Sequence, residues 1–446
     1  MIRLTKANGA PAHVRKNSEA NRLSDGDRAV HDWYRFVLSF PPHLVRQYVE
    51  RFRLNENHLV LDPFCGTGTT VVECRKQGIP SVGIEANPIA CFASQVKVDW
   101  TPDPEGFVSH AAAIAERARA ALARQGIEDD TSLPLMTPQR KPRTSLRTLP
   151  EETIRLLLTN SISPLPLHKT LVLLDYIRKA HNDLYFRHET LALAKALVQS
   201  ISNLNFGPEV GVGPIKNDAA VVGPWLNEVS AMADDLSALR GCDCASAAVH
   251  QADSRQIPRV LVGANTVDAV ITSPPYPNEK DYTRTTRLES VLLGFIRTKA
   301  DLRALKDCLL RSNTRNVYKA DDDDRLVASN PEVQRIALEI ESRRLELGKT
   351  SGFERLYARV TRLYFGGMTR HLAELRPALR RGARLAYVVG DQASYLRVMI
   401  RTGQLLADIA QSLGYKVDGI DLFRTRLATA TKEQLREEVV LLRWPG

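Results

Sequence analysis

The stretch VLDPFCGTGTT, residues 60–70, decides how the chain is read. His58–Leu61 is a short apolar run closed by Asp62-Pro63, the pattern of a buried strand. Gly66 and Gly68 then let the backbone turn sharply beside a ligand with no Cβ in the way. Thr69 or Thr70 can cap the helix expected over 70–77, which Gly78 stops. Working outward, Ser81–Glu85 is a second strand, and Asn87-Pro88 opens another helix running to about Lys97. Upstream, SFPPHLVRQYVERF (39–52) reads as a loop and then a helix, with Leu44, Val45, Tyr48, Val49 and Phe52 at helical spacing. A strand, glycine loop, helix, strand and terminal acid in succession is the opening of a doubly wound α/β sheet.

The loop is not the GxGxxG of dinucleotide folds, and an acid stands directly before its glycines, where a phosphate would be repelled. A carboxylate there suits a cationic or amine-bearing ligand, and S-adenosylmethionine carries both a sulfonium and an α-ammonium. Glu85, at the tip of the second strand, can accept hydrogen bonds from ribose hydroxyls. Asp253, read as preceding a further strand, can accept from an adenine amino group. Asp62 alone could be a surface-turn acid and Glu85 a solvated strand end; the glycine loop between them favours the cofactor.

A second motif follows the apolar strand 267–272: Ser273-Pro274-Pro275-Tyr276. Two prolines keep the chain extended and remove N–H donors. The Pro274 carbonyl and the Ser273 oxygen can therefore accept both hydrogens of an amino group. That aims the nitrogen lone pair at a methyl donor, in a displacement that needs mainly positioning. Tyr276 offers a flat face for an extruded base. An isolated SPPY would be only a proline turn; here it shares a chain with the glycine loop and Asp253.

The 446 residues carry a formal net charge of +10, which favours a polyanionic partner. No run of 18 or more apolar residues predicts a membrane span, and Met1–Arg28 lacks an apolar leader, so a cytoplasmic protein is expected. The six cysteines form no CxxC pair and no Cys/His set with zinc spacing, so no metal is expected. The domain reading is a flexible basic arm over 1–30, the cofactor half of a core over 31–100 and a helical insertion over 101–247. The catalytic strand and loop follow over 248–295, a charged helical insertion over 296–364, and the last core strands over 365–446, with strands at 384–389, 415–423 and 438–443. The acidic run Asp321–Asp324 reads as a solvated loop tip.

DPFCGTGTT (62–70) with TSPPY (272–276) resembles the amino-methyltransferase family of DNA methylases, and SFPPHLVRQYVERF resembles that family's preceding loop and helix. The resemblance covers roughly 30–100, 248–295 and 365–446, and leaves out both insertions. It implies a Rossmann-like class I S-adenosylmethionine-dependent methyltransferase, an α/β fold with a seven-stranded sheet whose last strand is antiparallel. It implies base flipping in double-stranded DNA and a site built from Phe40, Asp62, Phe64, Gly66, Thr67, Gly68, Thr69, Glu85, Ala86, Asn87 and Asp253 for the cofactor. Ser273, Pro274, Pro275 and Tyr276 would form the target pocket. Serine at the first motif position is associated with N4 of cytosine, aspartate or asparagine more often with N6 of adenine. A cognate restriction endonuclease would fit such a modification enzyme. The alternatives are adenine N6, an RNA N2-guanine methyltransferase and a DNA-binding scaffold without catalysis.

Two regions compete for DNA contact. Arg140, Lys141, Arg143 and Arg147 lie in a Pro- and Thr-rich stretch of the first insertion, and Lys280, Arg284 and Arg287 follow the catalytic loop. The first is slightly favoured. Asp391 is a candidate for receiving the amino proton.

Overall fold

In the computed structural model the described residues are 23–35, 39–129, 144–206, 209–242, 244–278, 280–427 and 434–446. In chain order the strands are β1 (Val60–Asp62), β2 (Ser81–Glu85), β3 (Leu204–Phe206), β4 (Val210–Val212), β5 (Ala247–Gln251), β6 (Val267–Thr272), β7 (Leu379–Gly390), β8 (Lys416–Leu427) and β9 (Gln434–Arg443). Seven of them form one sheet in the order β5-β2-β1-β6-β7-β9-β8, while β3 and β4 pair as a separate hairpin. The pairs from β5 to β7 are parallel, and β9 runs antiparallel to both β7 and β8. The last strand is thus the antiparallel one, in a Rossmann-like methyltransferase sheet.

Period-two alternation explains why the central strands are apolar throughout. Val60, Ala269, Ile271, Ala386 and Val388 pack with Leu44, Val45, Tyr48 and Val49 of the helix Pro42–Phe52 on one face. Leu61, Val270, Leu385, Tyr387 and Val389 meet Tyr364, Phe365, Met368 and Leu372 of the helix Tyr357–Leu375 on the other. That helix runs unbroken across position 364, so the boundary drawn there falls inside one element. The first insertion supplies the helices Pro104–Arg124, Pro164–Lys179, Phe186–Ala196 and Val222–Ala238. Phe107, Leu173, Leu193 and Trp225 from them share one core with Val71, Val72 and Ile89. It is built onto the sheet domain, not hung from it.

Three expectations need correction. Residues 23–30 are not a loose arm: Val30 is fully buried, and Asp27 pairs with Arg46 at 2.8 Å. The helix Thr69–Lys76 is capped by Gly68 in the left-handed region (φ 88°), not by a threonine; the Thr70 hydroxyl donates instead to the Ile271 carbonyl at 3.1 Å. Asp321–Asp324 is no solvated tip. Asp323 is 4% exposed and held by Arg255 and Arg370, and Asp321 is held by Arg311. Periodicity could not show this, because the pairing arginines lie as far as 68 residues away.

Candidate active site

The chain turns from β1 out to β2 and β5, then returns to place β6 on β1's other side. Ligands of such sheets gather outside the carboxyl ends of the strands at this switch point. A cavity of about 470 Å³ lies there, within the usual range for small-molecule sites. It is lined on one side by Phe40, Phe64, Gly66, Thr67, Thr69, Glu85, Ala86 and Asn87, and on the other by Ser273, Pro274, Pro275 and Tyr276. Residues separated by two hundred positions in the chain thus share one space.

On the first side the glycine loop turns at Gly66 (φ 53°), where a Cβ would meet no heavy atom within 4 Å. The residue is therefore glycine for its backbone angle. Glu85 accepts the Gly66 N–H at 2.8 Å and the Asn87 N–H at 2.7 Å. Burial nevertheless pushes its carboxyl up to about 7, with those two N–H groups opposing. The Asn87 Nδ2 donates to the Thr286 hydroxyl at 3.3 Å, while its Oδ1 is buried with no partner among the described residues. His371 stands edge-on to Phe64, with ring centroids 4.8 Å apart. Burial pulls this imidazole down to about 4, so it is neutral. Its Nδ1 donates to the Ser254 carbonyl (2.8 Å), and its Nε2 accepts from the Tyr387 hydroxyl (2.7 Å).

Three expected cofactor residues do not line the cavity. Asp62 is wholly buried between β1 and β6: its Oδ1 accepts from the Thr272 hydroxyl at 2.6 Å and the Phe64 N–H at 3.1 Å. Burial raises it to about 6 against those bonds, and its Oδ2 has no partner among the described residues. Adjacent parallel strands set the two side chains together, so Asp62 ties the glycine loop to the residue preceding Ser273. Gly68 sits behind the loop, where a Cβ would come within 3.0 Å of the Ser94 hydroxyl. Asp253 lies in the connection from β5 to β6, and both its oxygens bond Arg255 at 2.7–3.2 Å. Its neighbour Ser254 lines the cavity instead.

On the second side the Ser273 hydroxyl donates to the Val388 carbonyl at 3.2 Å, which leaves its lone pairs to accept. The Tyr276 ring lies against Gly390: a Cβ there would be 2.8 Å from Cε2. Burial, then the nearby Glu437, pushes the phenol's pKa above its usual range. Phe423, Arg424 and Glu437 from β8 and β9 also line this side, with Glu437 held by Arg424 at 2.6 and 2.9 Å. The sequence offered no motif for these three; Phe423 merely ends a predicted strand. Glu209, from the hairpin of the first insertion, reaches the same cavity.

Of the residues expected to meet DNA, Arg140, Lys141 and Arg143 lie outside the described residues. Arg147 pairs with Asp175. Lys280 lines the cavity, and burial lowers its pKa. Arg284 is half-buried, with Nε unpartnered among the described residues. Arg287 is not free for phosphate: its guanidinium donates to the Thr283 carbonyl and hydroxyl and to the Leu156 carbonyl at 3.0–3.2 Å. Asp391 is fully buried, paired with Arg401 and Arg436 and absent from the cavity wall, so it is not placed to take a proton. Among the described residues no helix is long and apolar enough to cross a membrane, and no group of three His, Cys, Asp or Glu could hold a metal.

Sheet order and cavity together define a Rossmann-like methyltransferase. A family model described as DNA methylase matches residues 12–95. The chain is 27% identical to the Type II methyltransferase M.BsoBI of Geobacillus stearothermophilus, an alignment covering 94% of this chain and 84% of the relative. It is 23% identical to the Type II methyltransferase M.AvaI of Nostoc sp., over 93% and 86%. A shorter stretch, 17% of this chain, is 37% identical to M.MjaII of Methanocaldococcus jannaschii and covers 14% of it. These matches support placing the chain with the DNA amino-methyltransferase family.

Proposed function

We propose that the protein is a site-specific modification enzyme that moves a methyl group from S-adenosylmethionine to the exocyclic N4 of a cytosine flipped out of double-stranded DNA. The observation that carries this is the single cavity into which the Gly66 loop, Glu85 and the Ser273–Tyr276 segment all open. The cofactor fits the residues present: Gly66 leaves open space beside the loop, and the buried Asn87 Oδ1 awaits a donor. Glu85 retains lone pairs for ribose hydroxyls. When bound, S-adenosylmethionine supplies an electrophilic methyl group on a good leaving group.

The chain's own task is then positioning. Ser273 Oγ and the Pro274 carbonyl accept the two amino hydrogens, turning the nitrogen lone pair out of conjugation and toward the cofactor side. Tyr276 and Phe423 offer aromatic faces to hold the base. No strong base is required, since an amino nitrogen that has gained a methyl group sheds its proton readily to water. Serine at position 273 favours cytosine over adenine as the target. The Type II relatives support a role in a restriction-modification pair with a cognate endonuclease, and the net charge of +10 suits a DNA substrate.

The test is to incubate the protein with unmethylated genomic DNA and S-adenosylmethionine, digest to nucleosides and identify the product by mass spectrometry. N4-methylcytosine is expected. N6-methyladenine would keep the mechanism and overturn the base, and methylation of RNA alone would overturn the substrate.

A further inference from the structure

We propose that Arg255 and the acidic run Asp321–Asp324 latch the second insertion over the adenosine end of the cofactor pocket, which makes Arg255 a positioning residue for cofactor binding. The inference rests on the cofactor reading above. The wall beside Ser254 is not formed by the sheet: Cys308, Leu309 and Leu310, all from the second insertion, line the cavity there. Two buried arginines hold that wall in place. Arg255, 9% exposed, donates to both Asp253 oxygens, to Asp323 Oδ2 at 2.8 Å and to the Asp307 carbonyl at 2.8 Å. Arg311, 3% exposed, binds the Asp321 carboxylate at 2.9 and 2.7 Å and the carbonyls of Lys306 and Leu309 at 2.7 and 2.5 Å. The carbonyls so gripped are those of the two residues just before the lining segment and of Leu309 within it.

The seat for this latch is cut into the helix Tyr357–Leu375. A Cβ at Gly366 would lie 1.9 Å from the Asp323 carbonyl oxygen, and one at Gly367 would lie 2.4 Å from Leu310 Cδ1. Adjacent glycines in a helix interior weaken it; close approach of the Asp323 backbone accounts for Gly366, and that of Leu310 for Gly367. Asp323 is also held by Arg370 Nε at 2.6 Å, so the core grips the run from two sides. Planar guanidinium groups suit such multi-point contacts, and lysine cannot reproduce them. Ser273–Tyr276 takes no part in this network. A loosened latch therefore alters the pocket wall before it alters the catalytic loop, and affinity should suffer ahead of turnover.

The experiment uses the full chain with S-adenosylhomocysteine as probe. Arg255→Lys and Asp323→Asn are each expected to weaken its binding by calorimetry at least about tenfold. The KM for S-adenosylmethionine should rise in parallel, with kcat at saturating cofactor within about twofold of wild type. A merely architectural role would lower the melting temperature and the active fraction but leave the Kd of the folded protein unchanged, and that result would overturn the proposal. Should neither variant fold, hydrogen exchange of the wild type decides. Amides 306–312 must become more protected when S-adenosylhomocysteine binds, and unchanged exchange in the bound state would refute the latch. Failure of the wild type to bind the probe at all would instead overturn the cofactor reading beneath it.

Discussion

Replacing Gly390 by alanine should damage turnover while sparing the cofactor. Gly390 ends β7, and it is not among the residues with positive φ, so alanine brings no backbone strain. What it brings is a methyl carbon 2.8 Å from Tyr276 Cε2 and 3.2 Å from Cδ2, with Glu437 Cγ at 3.4 Å behind. Carbon atoms rest at about 3.5–4.0 Å, so the ring must retreat by about 0.7 Å or more. With Tyr276 closing the target pocket as proposed above, the base would be held out of line by a similar distance. A misplacement of about 1 Å can cost about 100-fold in rate. We therefore expect kcat to fall about 10- to 100-fold. Overpacking should cost about 1–3 kcal/mol of stability. The assay is single-turnover methyl transfer to duplex DNA at saturating cofactor, with S-adenosylhomocysteine titrated in the same preparation. A variant with wild-type turnover would refute the placement of Tyr276 against the target base.

Further outcomes follow from the same geometry. Burial raises both Asp62, to about 6, and Glu85, to about 7. Unliganded protein should therefore be more stable at low pH and lose that contribution as pH rises from about 4 through 7; in denaturation series Glu85→Gln should flatten this slope. If the ionised Glu85 is the form that accepts ribose hydroxyls, S-adenosylhomocysteine should bind about tenfold tighter at pH 8 than at pH 6, and calorimetry showing no change would oppose that role. Thr272→Val removes the 2.6 Å bond to Asp62 and should cost about 1–3 kcal/mol in urea unfolding. Lys280 and Arg426 also line the cavity; if each meets a phosphate, alanine at either should reduce the slope of log affinity for DNA against log salt by about 0.9.

The core was legible because its signals are local. The helix Pro42–Phe52, β1, the glycine loop and β2 follow each other within about fifty residues, and each announces itself by period, proline or glycine. Ser273–Tyr276 stood out for the same reason. What could not be read is what distant chain segments do to one another. Asp62 looked like a ligand-facing acid, because nothing local reveals that Thr272, 210 positions on, lies beside it. Asp253 and the acidic run looked unrelated until Arg255 joined them. Arg287 looked like a phosphate contact, although its donors are consumed by Thr283 and Leu156. Phe423 and Glu437 join Ser273–Tyr276 in the cavity wall only through the placing of β8 and β9 in the sheet, which no motif records.

The central claim is that one cavity holds the cofactor and the target base, with separate residues serving each. The most direct test measures transfer of labelled methyl groups to duplex DNA, alongside S-adenosylhomocysteine affinity, in wild type, Ser273→Ala and Tyr276→Ala. The account predicts that both variants lose transfer by about 100-fold or more and keep wild-type affinity for S-adenosylhomocysteine. Variants that transfer at the wild-type rate, or that lose affinity in proportion to activity, would contradict it.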